Sequence, residues 1–167
     1  MTGLVETILL GSQVATLLVV LYAAVNDVRF LRIPNWTVLA VLGLFAVSVV
    51  ASGGAGLKVA LIGGTVLFVI TAVLYVLRVF GGGDAKMIAA LGLWLGLADL
   101  PAFLMVMSLS GALLAVVALV LKKTGWAGKL VNKWNLKDGW LVALSEGRGV
   151  VPYGVAIAVG TVWVFAG

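Results

Sequence analysis

Asp84 closes the run Gly81-Gly82-Gly83-Asp84 and is followed by Ala85-Lys86-Met87, with apolar stretches on both sides. An ionisable acid in that setting needs a chemical reason. A charged side chain at bilayer depth costs at least ~2.5 to 3.5 kcal/mol on insertion scales, so an acid there is a functional candidate. A second acid, Asp27, lies in Asn26-Asp27-Val28-Arg29-Phe30-Leu31-Arg32-Ile33-Pro34-Asn35, which joins the first two apolar stretches. Two carboxylates that share a proton across one water form an acid–base pair. One takes a proton from the water while the other protonates the carbonyl oxygen of the scissile amide. Like charges held close do not both ionise, so such a pair titrates in two coupled steps.

The residue types that are missing narrow the chemistry further. The chain has no Cys and no His, which excludes disulfides, a thiol nucleophile, a Cys/His zinc site and an imidazole base. No metal and no other cofactor is expected, and carboxylates are left as the groups able to carry hydrolysis. Of the remaining acids, Glu6 and Asp99 fall at the far side of the apolar segments, with Asp99 read as a helix-start residue ahead of Pro101. Asp138 and Glu146 lie in a basic loop and are read as solvated.

The elements that must hold these acids are apolar helices. With 63% hydrophobic residues, 10% charged residues and a mean hydropathy of +1.26, the chain reads as an all-α polytopic membrane protein, a single domain over 1–167. The net charge of +5 is spread among scattered loop residues and marks a cytoplasmic side, not nucleic-acid binding. Six segments are expected: Leu4 to Val25, Trp36 to Ala51, Leu57 to Val79, Asp84 to Ala98, Pro101 to Leu121 and Pro152 to Phe165. The fourth is short, about 22 Å if helical, so it either starts below the membrane surface or dips in without crossing. Pro34, Pro101 and Pro152 each mark a helix start, where a missing N–H costs nothing.

Charge sets the orientation. With the amino terminus outside, Arg29, Arg32, Arg78, Lys86, Lys122, Lys123, Lys129, Lys133, Lys137 and Arg148 fall inside and Lys58 alone falls outside. Asp27 and Asp84 then share the cytoplasmic face. The polar region from Lys122 to Val151, where Trp126, Trp134 and Trp140 alternate with Lys129, Lys133 and Lys137, suits an amphipathic helix at headgroup level. It reads either as a lipid anchor or as a substrate-docking loop. The glycines before Asp84 are expected to take positive φ and to let a substrate backbone approach. Gly92-x-x-x-Gly96 is expected to let helices pack closely.

These motifs resemble those of the type IV prepilin peptidases, membrane aspartyl proteases of the Gly-x-Gly-Asp type. The matching features are Asp27 through Ile33-Pro34-Asn35, then Gly81-x-Gly83-Asp84-Ala85-Lys86, with a tail from Val151 to Ala158 that looks like the family's last helix. The chain looks closest to the short peptidases of tight-adherence (Flp) pilus systems. The resemblance implies that Asp27 and Asp84 are the catalytic acids of a leader peptidase in the bacterial inner membrane. Its substrates would be prepilins and pseudopilins with a short basic leader ahead of an apolar helix, cut at the cytoplasmic face. Longer members carry an additional cysteine-bearing domain associated with methyl transfer; nothing here matches it, so peptidase activity without methyltransferase activity is expected.

Weaker roles attach to the neighbours. Gly81 and Gly83 shape the loop, and Asn35 either caps a helix or bonds near Asp27. Lys86 either acts on Asp84, positions a substrate carbonyl, or marks the inside face. A different class of function, a small proton or ion carrier using the same two acids as a relay, is the alternative.

Overall fold

Runs of Leu, Val, Ile and Ala unbroken by proline fold as helices, the arrangement that satisfies every backbone polar group within one apolar segment. The computed structural model describes residues 2–167 and, among them, eight helices and no strand. They are α1 (Thr2–Phe30), α2 (Asn35–Ala51), α3 (Leu57–Val76), α4 (Gly82–Leu95), α5 (Leu100–Lys123), α6 (Trp126–Trp134), α7 (Trp140–Ser145) and α8 (Tyr153–Ala166). The prolines stand where expected: Pro34 and Pro152 directly precede α2 and α8, and Pro101 sits in the first turn of α5.

Two boundaries differ from expectation in ways that matter for the acids. Helix α1 runs past Val25 to Phe30, because nothing in Asn26–Phe30 breaks a helix, so Asp27 lies in its last turn and not in a loop. The helix stops at Leu31, which adopts a left-handed φ of 52° while its N–H still bonds Asp27 O at 2.8 Å. Helix α4 begins at Gly82, two residues ahead of Asp84, which puts that acid inside the first turn.

Three helices, Gly3–Phe30, Leu57–Val76 and Leu100–Lys123, are long and apolar enough to cross a membrane. Asn35–Ala51 and Tyr153–Ala166 are equally apolar but shorter, and α4 has 14 residues. A 14-residue helix rises about 21 Å, less than the ~30 Å hydrocarbon thickness. The outer faces stay apolar, with Leu113, Val116 and Val120 of α5 and Val69, Val73 and Val76 of α3 all exposed. Lipid is the solvent such a surface fits.

The interior is built on small residues. Helix α3 packs on α4 with backbones in contact: a Cβ on Gly63 would come 2.8 Å from Gly92 O and 2.9 Å from Gly96 C. The expected close approach at Gly92 is therefore present, against Gly63 and Gly64. Helix α8 lies between α1 and α5 and reaches α4, burying Ala156, Ile157, Ala158, Gly160 and Thr161. Trp94 ties three helices together, donating from Nε1 to Val41 O at 3.2 Å and lying against Phe45 and Phe165. Its position fixes α4 along its axis, and with it the depth of Asp84.

Overpacking a closed backbone contact costs about 1 to 3 kcal/mol. Gly63→Ala is expected to lower unfolding stability in detergent by that order, whereas Gly43→Ala, where a Cβ meets nothing within 4 Å, leaves it unchanged or raises it.

Candidate active site

Asp27 is 6% exposed and sits at the carboxyl-terminal end of α1, where free carbonyls make a carboxylate unwelcome. The compensation comes from another helix. The backbone N–H of Gly154, in the first turn of α8, donates to Asp27 Oδ2 at 2.8 Å. The first four N–H groups of a helix lack partners within it, so an acid placed there is both hydrogen-bonded and favoured by the helix dipole.

Asp84 is held differently. It occupies the third position of its own helix, α4, with Gly81 preceding the first turn. Its Oδ2 lies against Gly81, where a Cβ would come 2.8 Å from it, at the positive end of the helix dipole. The other oxygen, Oδ1, is fully buried and has no hydrogen-bond partner within the protein. Asp27 is close enough for its charge to act on Asp84.

The glycines before Asp84 do not take the positive φ expected of them. None of Gly81, Gly82 and Gly83 is among the positive-φ residues, and Gly81 has φ −68°. What each requires is room. A Cβ on Gly81 would stand 2.8 Å from Asp84 Oδ2, one on Gly82 would stand 3.3 Å from the Tyr75 ring, and one on Gly83 would stand 3.0 Å from Ile33 Cβ. The last contact joins the two motifs, since buried Ile33 precedes the Pro34 that starts α2.

A second link joins them at the surface. Lys86 is exposed, and its Nζ donates to Asn35 Oδ1 at 3.4 Å. Two residues along a helix are about 200° apart, so Lys86 and Asp84 leave α4 on different faces. Asn35 opens α2 without making a side-chain cap, and its side chain bonds Lys86 instead. Asp99 likewise sits at the start of α5 with no side-chain cap bond. The structure thus brings together Asp27, Asp84, Gly81 and Gly83, and pairs Lys86 with Asn35 beside them.

The region between α5 and α8 is two short helices and not one. Trp126 and Trp134 are 57% exposed, with Lys129 Nζ 5.9 Å from the Trp126 ring centre. Trp140 turns inward instead and donates to Val150 O at 2.8 Å. Gly139 lies against the end of α1, where a Cβ would come 3.0 Å from Val28 O. A polar cleft of about 390 Å³ results, lined by Arg29, Lys137, Asp138, Glu146 and Arg148. Glu146 is paired there with Arg148 at 2.7 Å.

Sequence reasoning missed Gly154. The available signal was Pro152, which marks the start of a helix and hence a set of free N–H donors, but nothing in the chain pairs that helix end with Asp27.

The described residues form an apolar helical bundle in which two acids sit at helix ends. The model of the type IV leader peptidase family matches residues 14–116, which include both acidic motifs. The chain belongs to that family and is a protease. No curated protein and no solved structure matches it.

Gly81→Ala fits the backbone dihedrals of its position but drives a methyl into Asp84 Oδ2. Cleavage of a leader-bearing substrate is expected to fall about 100-fold, the usual effect of a 1 Å misplacement, with unfolding stability unchanged.

Proposed function

We propose that the protein is an aspartyl endopeptidase in which Asp27 and Asp84 form one acid–base pair that removes basic leaders from prepilin and pseudopilin substrates. The observation that carries this reading is Asp84 Oδ1, buried, unpartnered and within reach of the charge on Asp27. A lone oxygen of that kind is stable only when it holds a proton or meets a polar group. A backbone donor already occupies one oxygen of Asp27, through Gly154, and Asp84 Oδ2 is packed against Gly81. The free oxygens are the ones left for water and substrate.

In the proposed reaction the ionised member of the pair takes a proton from water as the oxygen attacks the scissile carbonyl carbon. The protonated member gives its proton to the carbonyl oxygen. Collapse of the tetrahedral species breaks the C–N bond, the leaving amine takes a proton from the carboxyl that had accepted it from water, and the other carboxylate recovers its own from the hydroxyl. The pair returns to its starting charge.

The same reading extends to the setting. All six of α1, α2, α3, α4, α5 and α8 enter the bilayer, the amino terminus lies outside, and both acids face the cytoplasm, in agreement with the side on which basic residues gather. The protein acts in the bacterial inner membrane and serves a tight-adherence (Flp) pilus system.

Mass spectrometry of the pilin amino terminus, with and without this chain, tests the assignment. The wild type is expected to yield a shortened amino terminus. Asp27→Asn and Asp84→Asn are each expected to abolish the cut while inserting normally, and the double variant to lose no more than either. Cleavage by either single variant at the wild-type rate would remove the acid from the mechanism. The pH dependence of kcat/KM is expected to be bell-shaped, because activity needs one proton on the pair and fails with none or two.

A further inference from the structure

The amino-terminal turn of α8 touches the surroundings of both acids, although neither acid belongs to it and the family match ends before it, at residue 116. On one side Gly154 donates to Asp27 Oδ2 at 2.8 Å. The fit leaves no space for a side chain: a Cβ on Gly154 would stand 2.9 Å from Asp27 Cβ, 3.1 Å from Oδ2 and 3.3 Å from Ala24 Cα. On the other side the Tyr153 ring meets the Phe80 ring edge-on, with centroids 4.9 Å apart and planes at 66°. Phe80 is the residue directly before Gly81, so it anchors the loop that leads into α4 and Asp84.

Tyr153 is itself fixed. Gly111 of α5 leaves room for its phenol, where a Cβ would come 3.1 Å from the Tyr153 hydroxyl oxygen. The ring is therefore held between α5 and Phe80, while the next residue holds Asp27. Two consecutive residues on a turn started by Pro152 thus brace one acid directly and the other through the loop that leads to it.

We propose that Tyr153 and Gly154 are positioning residues for the catalytic pair, Gly154 orienting the Asp27 carboxylate and Tyr153 fixing Phe80 in the loop that leads to Asp84, so that this turn sets the separation of the two acids. The proposal rests on the reading of Asp27 and Asp84 as the catalytic pair. It gives α8 a role in the chemistry beyond packing. Glycine is required at 154 because the donor and the acid must approach with nothing between them, and an aromatic ring is required at 153 because the brace is a ring-on-ring contact.

The test is steady-state cleavage of a prepilin by the full-length protein in lipid nanodiscs, with thermal unfolding followed in parallel. Gly154→Ala and Tyr153→Ala are expected to lower kcat about 10- to 100-fold with KM within about twofold, as expected for misplaced groups that bind no substrate. Tyr153→Phe keeps the ring and is expected to restore kcat to within about threefold of wild type, while Val159→Ala, on the exposed face of α8, leaves both constants unchanged. Phe80→Ala with Tyr153→Ala supplies a double-variant cycle that does not depend on Gly154 folding well: the pair is expected to lose no more kcat than the worse single change. Losses that follow unfolding temperature, a change confined to KM, additive losses, or a Tyr153→Phe variant as poor as Tyr153→Ala would each overturn the proposal. If Asp27→Asn and Asp84→Asn abolish cleavage while Gly154→Ala and Tyr153→Ala keep wild-type kcat, the positioning role alone is lost. Cleavage that survives both Asn substitutions defeats the catalytic reading as well.

Discussion

A carboxylate inside an apolar helical bundle has to be solvated by the protein, and here helix amino termini supply that solvation. Asp27 sits at the wrong end of its own helix and borrows the free N–H of Gly154 from α8. Asp84 uses the amino terminus of the helix that carries it. Both depend on where helices begin, and Pro152 and Gly81 set those beginnings. Moving the start of α8 by one residue would turn the Gly154 donor about 100° away from Asp27.

Close approach is the second requirement, and it is met by omitting side chains. Gly63, Gly64 and Gly92 let α3 and α4 touch along their backbones, which holds the loop between them in a fixed place. At the end of that loop Gly81 and Gly83 make room for the Asp84 carboxylate and for Ile33. Ile33 stands just before α2, so the two acidic motifs pack on one another and not merely on the same side of the bundle. Surface contact between Lys86 and Asn35 repeats the connection outside.

Much of this was readable in the chain. Apolar runs located the helices, prolines located three of their starts, and the acids stood out because carboxylates are expensive among apolar residues. Boundaries near the acids were less readable, since Asn26–Phe30 is polar enough to look like a loop yet contains nothing that stops a helix. The positive φ expected of the glycines is absent, and what the fold demands at each of them is space. Gly154 and the inward turn of Trp140 were not readable, because both depend on contacts between segments far apart in sequence, whose register the local pattern does not encode.

The proposed mechanism makes the two acids a single titrating unit, and carboxyl infrared difference spectroscopy across pH reads that directly. In the wild type, the carboxyl bands assigned through the two Asn variants are expected to titrate in two coupled steps, and neutralising either acid is expected to shift the titration of the other. Two bands that titrate independently, each unmoved by substitution of its neighbour, would contradict the shared-proton account.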